Sequence, residues 1–196
     1  MWTYDPWGFH DGLGQVLQRV PIAWGMVTGR IRLTGVDEGI ECTVSTRLCG
    51  ADSPSKVAAA LQNLFPDAAW PEGLQEPNFG TTHDLELQWK GQGMKTFLEA
   101  IHQQRILDTA LDAMSRNLKS DATTFSLARQ AAAAGKVAFP IPDEHPVGGS
   151  FRLDLSGRGL SEWLEAATWH PGRTQVPRSV GDERSMAENG EASTWH

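Results

Sequence analysis

The sequence predicts an α+β domain, an antiparallel or mixed β-sheet with helices packed on one face. Three observations carry this. Residues 83–90 alternate, with Leu85, Leu87 and Trp89 on one side and Asp84, Glu86 and Gln88 on the other, as in a half-buried strand. Residues 94–118 repeat apolar side chains at helical spacing instead. Strands and helices then mix without the βαβ rhythm or glycine-rich dinucleotide turn of a parallel sheet.

The elements follow in order. Residues 1–14 carry Trp2, Tyr4, Trp7 and Phe9 among glycines without periodicity, an arm that could pack on the domain. Residues 22–36 read as a strand and 40–48 as its hairpin partner, separated by Gly35, Asp37 and Gly39. Asp52-Ser53-Pro54 supplies an N-cap and an early helical proline, whose missing N–H costs nothing there. Val57, Leu61, Leu64 and Phe65 continue that helix until Pro66 stops it. Residues 66–80 read as a surface loop rich in Pro, Gly and Asn.

In residues 94–118, Met94, Phe97, Leu98 and Ile101 share one phase, and Ile106, Leu107, Ala110, Leu111, Met114 and Leu118 another. The break at 102–105 predicts two helices with a bend. Residues 123–127 are β-prone, 131–134 are alanines ending at Gly135, and 137–139 resume a strand before Pro140. Residues 150–155 alternate again, and 160–167 form a final helix with Trp163 and Leu164. The domain organisation expected is an N-terminal extension to residue 38, one domain over 39–170, and a disordered polar tail over 171–196.

Composition narrows the function. Seventeen Lys plus Arg against 24 Asp plus Glu give the 196-residue chain a net charge of -7, which argues against indiscriminate binding to nucleic acid or anionic membranes. No apolar run reaches a membrane span and the first residues lack a signal peptide, so a cytoplasmic protein is expected. Cys42 and Cys49 would face opposite sides of a strand, which makes a disulfide between them unfavourable. The six histidines show no ligand spacing, no serine sits in a nucleophile elbow, and Ala134-Gly135-Lys136 lacks the rest of a phosphate loop. No metal, cofactor or catalytic activity is expected. Asp108 and Asp112 lie one helical turn apart, and flanking Arg105 and Arg116 explain them best as a solvated ion-pair ladder.

Charge distribution points to one segment. Residues 105–136 hold five basic side chains (Arg105, Arg116, Lys119, Arg129, Lys136) and three acidic ones, a local +2 in an acidic chain. Phe125 and Gln130 lie among them, a group able to stack on a base and an amide able to read its edge.

Four stretches, DSPSKVAAALQNLFPDA (52–68), QRILDTALDAM (104–114), TTFSLARQAAAAGKVAFP (123–140) and HPVGGSFRLDL (145–155), resemble in this order an archaeal family of uncharacterised proteins described as RNA-binding. That family is similar in fold to the large-subunit ribosomal protein L-five, and the resemblance covers about residues 39–167. It implies an archaeal source and an antiparallel sheet with helices on one side. Arg105 and Asp108 match the family's helix motif, and Gln130, Gly135 and Lys136 its later loop. Ala128-Arg129 depart from the Asn-Lys-like pair expected there. Structural roles compete for the same residues: 130–136 as a tight turn with Gly135 at positive φ, and Arg105 with Asp108 as a fastening of the helix bend.

The resulting expectation is a non-catalytic protein of structured RNA or a ribonucleoprotein. Arg105, Arg116, Lys119, Arg129 and Lys136 would hold phosphates, and Phe125 and Gln130 would touch bases or sugars. The alternative is an interaction module or homodimer with no nucleic-acid role, motivated by the acidic charge and eight tryptophans.

Overall fold

The computed structural model describes residues 33–78, 82–141 and 144–182. Four strands, β1 (Glu41–Gly50), β2 (His83–Trp89), β3 (Ala122–Ala128) and β4 (Ser150–Ser156), form one antiparallel sheet in the order β2-β1-β4-β3. Five helices join them: α1 (Pro54–Leu64), α2 (Lys95–Gln104), α3 (Leu107–Ser115), α4 (Arg129–Ala133) and α5 (Leu160–Ala167). The expected α+β architecture is present.

Register sets the two faces of the sheet. Val44 pairs with Trp89 on one side and Leu153 on the other, and Leu153 pairs with Phe125, so one apolar row crosses all four strands. Cys42, Leu48, Leu87, Leu127, Phe151 and Leu155 share that inner face and merge with the buried faces of all five helices in one core. Phe65 stacks on Phe97 at 6.2 Å between centroids, and the aromatic chain continues through Phe125 to Phe139. Alternate residues, among them Glu41, Arg47, Arg152 and Ser156, point away and stay exposed.

Local signals placed several ends. The Ser53 side chain accepts a hydrogen bond from the Lys56 amide and Pro54 opens α1. The bend between α2 and α3 falls at Arg105, whose φ of 57° ends the first helix in the left-handed region. Residues 131–134 lie in and just after the short α4, and Gly135 turns the chain at φ 67°.

Three expectations are corrected. Residues 33–35 lie outside the sheet and lead into a 3-10 turn at Val36–Glu38, while the neighbours of β1 are β2 and β4. The expected 22–36 hairpin strand is therefore absent from its described part, and the rest, with the 1–14 arm, lies outside the described residues. Residues 137–139 form no ladder strand. Instead Val137 is held at both backbone groups by the Gln104 side chain (2.6 and 2.9 Å), and Ala138 accepts one bond from the Ala128 amide.

The third correction concerns the expected tail. Residues 171–182 are packed on the domain, starting with a 3-10 turn at Pro171–Thr174; residues 183–196 lie outside the described residues. Arg173 is buried, and its guanidinium donates to the Asp108 carboxylate, the Thr168 hydroxyl and the Glu165 carbonyl. A cation at the C-terminal end of α5 also opposes the negative end of its dipole. His170 shares the Asp108 carboxylate at 3.1 Å, and Arg178 grips both oxygens of Asp112. The carboxylates of α3 thus serve the C-terminal segment.

Two outcomes follow. A Cβ added to Gly157 would lie 2.5 Å from the Gly39 carbonyl oxygen and 3.0 Å from the Ile40 Cα, so backbone must move. Gly157→Ala should destabilise by about 1–3 kcal/mol, read as a lower denaturant midpoint at unchanged slope. Desolvation pushes the Asp108 pKa up, but the bonds from His170 and Arg173 outweigh it and hold the carboxyl below its usual range. A pKa below the unfolded value of about 3.9 means stabilisation present above that pH and lost as pH falls through the folded value. The melting-temperature advantage of wild type over Asp108→Asn should therefore be present above about pH 5 and close below about pH 4.

Candidate functional site

The outer face of the sheet is polar because every strand alternates. Its cross-strand rows read Gln88, Ser45, Arg152 and Ser126, then Thr43, Asp154 and Thr124, then Glu41, Ser156 and Ala122. Over the last two rows lies an open depression of about 640 Å³, bounded by Lys90, Asn117 and Lys119. Lys90 enters because it directly follows β2. Lys119 is fixed by a tight turn in which it exchanges backbone bonds with Ala122 (2.9 and 3.1 Å), with Ser120 at φ 53°. Asn117 is tied by its amide to the Thr124 carbonyl at 2.9 Å, on the free edge of β3.

The depression combines two exposed ammonium groups, an amide and several hydroxyls with the carboxylates of Glu41 and Asp154. Arg152 donates twice to Asp154, both times to Oδ1, at 3.0 and 3.2 Å. Farther along the face, Arg47 and Asp84 pair at 2.7 Å, both largely exposed. The cations and hydroxyls of such a surface are groups able to bond anions and hydroxyl-rich ligands, with no aromatic side chain among the lining residues to stack on a base.

The residues singled out from the sequence are not brought together. Phe125 is an inner-face residue, buried against Phe97 and Phe139, and presents no surface to a base. Arg129 is 5% exposed and pairs with Asp52 at 2.9 Å, so it tracks no phosphate. Its guanidinium lies where a Cβ on Gly149 would be, 1.9 Å from Nη2, which makes glycine obligatory at a position whose φ is 78°. Desolvation raises the Asp52 pKa, but the Cys49 amide and Arg129 outweigh it and lower the value overall. These two corrections have one cause: inward or outward orientation follows from register and from a partner 77 residues away.

The remaining residues fall at two ends. Exposed Arg105 and Lys136 flank the Gln104–Val137 contact, with exposed Gln130 on α4. Half-buried Arg116 and exposed Lys119 lie at the opposite end of α3, and of these Lys119 borders the depression. Lys90 and Asn117 were missed by sequence reasoning; Lys90 sits at the end of a clear amphipathic strand, but that it borders the same depression as Lys119 depends on sheet order. Cys42, buried on the inner face, has its thiol pushed up to about 12 by burial and by the Asp154 charge, while Cys49 is exposed, as expected for opposite faces. Among the described residues no three His, Cys, Asp or Glu side chains are placed to hold a metal, and no helix is long and apolar enough to cross a membrane.

No family model matches the chain. It is 29% identical over 122 residues to a UPF0201 protein of Sulfurisphaera tokodaii, covering 60% of this chain and 81% of that protein. A UPF0201 protein of Methanocaldococcus jannaschii is 30% identical over 112 residues, 57% of this chain and 61% of its own length. A UPF0200/UPF0201 protein of Archaeoglobus fulgidus is matched over only 34% of its length, at 27% identity. Two crystal structures share the fold, each with a TM-score of 0.51. One is an uncharacterized UPF0201 protein, 24% identical, covering 64% of this chain and 90% of its own. The other is the UPF0201 protein of Methanococcus jannaschii, 23% identical, covering 67% and 96%. The relatives in sequence are archaeal UPF0201 proteins, and the two structures that share the fold are UPF0201 proteins as well.

Proposed function

We propose that this is a non-catalytic, cytoplasmic RNA-binding protein of the UPF0201 type, with a sheet-and-helix fold like that of ribosomal protein L-five, and that it holds structured RNA by its backbone. The observation that carries the reading is the depression on the outer sheet face, where Lys90 and Lys119 border a floor of hydroxyls interrupted by the carboxylates of Glu41 and Asp154. An ammonium group at each side of the depression suits a phosphate, and Asn117, Thr43 and Thr124 offer groups that can bond ribose. Exposed Arg105, Gln130 and Lys136 extend the contact at the other end of α3. Without exposed aromatics in the depression, recognition follows shape and charge, and binding is steeply salt-dependent.

The test is a salt series of RNA affinity by fluorescence anisotropy, using a structured RNA. Lys90→Glu with Lys119→Glu should weaken binding at least tenfold and reduce the log–log salt slope by about 1–2, the share of two phosphate contacts. Unchanged affinity and slope would remove the outer face from the reading.

The alternative, an interaction module without nucleic acid, draws on a different observation. β2 is an edge strand whose Leu85 remains 39% exposed, a place for a partner strand or a second copy to pair. Its expected signature is a mass by light scattering that rises with protein concentration and falls back to monomer for Leu85→Lys; a constant monomer mass removes the homodimer form.

A further inference from the structure

We propose that residues 177–182 form a strap that opens on a fixed pivot at Arg173, a conformational device gated by ionic strength. The two halves of the C-terminal segment are attached by different physics. The pivot is buried: the Arg173 side chain, 6% exposed, reaches Asp108 at 3.0 Å, the Thr168 hydroxyl at 3.2 Å and the Glu165 carbonyl at 3.4 Å. The turn around it is closed by backbone bonds from Arg173 to His170 and from Gln175 and Val176 to Gly172. The Asp108 carboxylate is 44% exposed, but the bonds to the Glu165 carbonyl and Thr168 hydroxyl and the backbone turn have neutral acceptors, so salt screens them little.

Beyond the turn the attachment thins. Val176 is 74% exposed. Arg178 then grips Asp112 on α3 with both side chains partly open to solvent, 30% and 23% exposed. The Val180 amide donates to the Glu165 carboxylate on α5 at 2.9 Å, and Val180 packs at the margin of the core. The Ser179 amide bonds Asp182 within the strap itself. The latch thus includes two carboxylates on α3 and α5, a guanidinium, an amide and a marginal valine, and the Asp182 charge also bears on Arg178. A partly exposed charge pair weakens as the Debye length shrinks from about 8 Å at physiological salt to about 3 Å at 1 M. A segment held by apolar contact would keep or gain protection under the same change. The direction of the salt effect thus separates the two modes of attachment. Opening uncovers the carboxylates of Asp112 and Glu165 while Arg173 keeps the end of α5 capped.

Hydrogen exchange of the full chain, followed by mass spectrometry at 20 mM and 1 M NaCl, tests this. Amides of residues 178–182 should exchange at least tenfold faster at high salt, while 171–176 and the sheet keep their rates. Asp112→Asn should reproduce the open strap at low salt. Exchanging the charges, Asp112→Arg with Arg178→Asp, should restore protection. The proposal is overturned if residues 171–182 open together at every salt concentration, if 178–182 gain protection with salt, or if they are already unprotected at 20 mM.

Discussion

The row of side chains Trp89, Val44, Leu153 and Phe125, one from each strand, is the constraint on which the rest depends. It exists because β1 lies inside the sheet with antiparallel partners on both edges, and because all four strands present the same parity to the helices. Each end of the row is closed by another aromatic ring, Trp70 on Trp89 at 5.4 Å and Phe97 on Phe125 at 6.2 Å. A slip of one residue in any pairing would send the apolar set outward and bury Arg47, Arg152 or Asp154, at a cost far above the stability of a domain this size. Register is therefore specified by burial, and everything on the outer face inherits it.

That inheritance explains the candidate site. Lys90 and Lys119 are distant in sequence, yet sheet order and the tight turn before β3 bring both to the same depression, Lys90 from the β2 edge and Lys119 from the β3 edge. The outer face carries Glu41, Asp84 and Asp154 as well as its cations, which suits a chain of net negative charge. The proposed binding to a polyanion would be local on such a surface, relying on how a few ammonium groups are spaced rather than on the field of the whole molecule.

Charge has a second use inside the fold. Asp52 with Arg129, Asp108 with Arg173 and Asp112 with Arg178 each join segments more than 60 residues apart. Arg129 is the most deeply committed: Nε and Nη1 are buried without a protein partner, so removing Asp52 would leave a guanidinium stripped of water on every side. Along the C-terminal segment the guanidinium is buried at Arg173 and 30% exposed at Arg178, while their carboxylates, Asp108 and Asp112, are 44% and 23% exposed.

Much of the architecture was legible in the chain itself. Alternation marked β2 and β4, the Ser53-Pro54 start and Pro66 stop bounded α1, and the loss of helical phase near Arg105 located the bend. These are local effects, governed by side-chain period and by what Pro and capping groups do to neighbouring backbone. The extended run at 137–139 joined no ladder because the Gln104 side chain takes both backbone groups of Val137, a partner that no local pattern reveals. The site was less legible. Arg129 and Phe125 read as a phosphate contact and a stacking ring, but the Asp52 carboxylate and the aromatic core claim them. Arg173 and Arg178 read as tail residues in a polar composition, yet find carboxylates on α3. The amino-acid sequence by itself determined which residues form helices and strands and which face of each is apolar. Only the tertiary structure decided which charges meet, because a carboxylate's partner is chosen by distance in space, and the chain's periodicity carries no record of it.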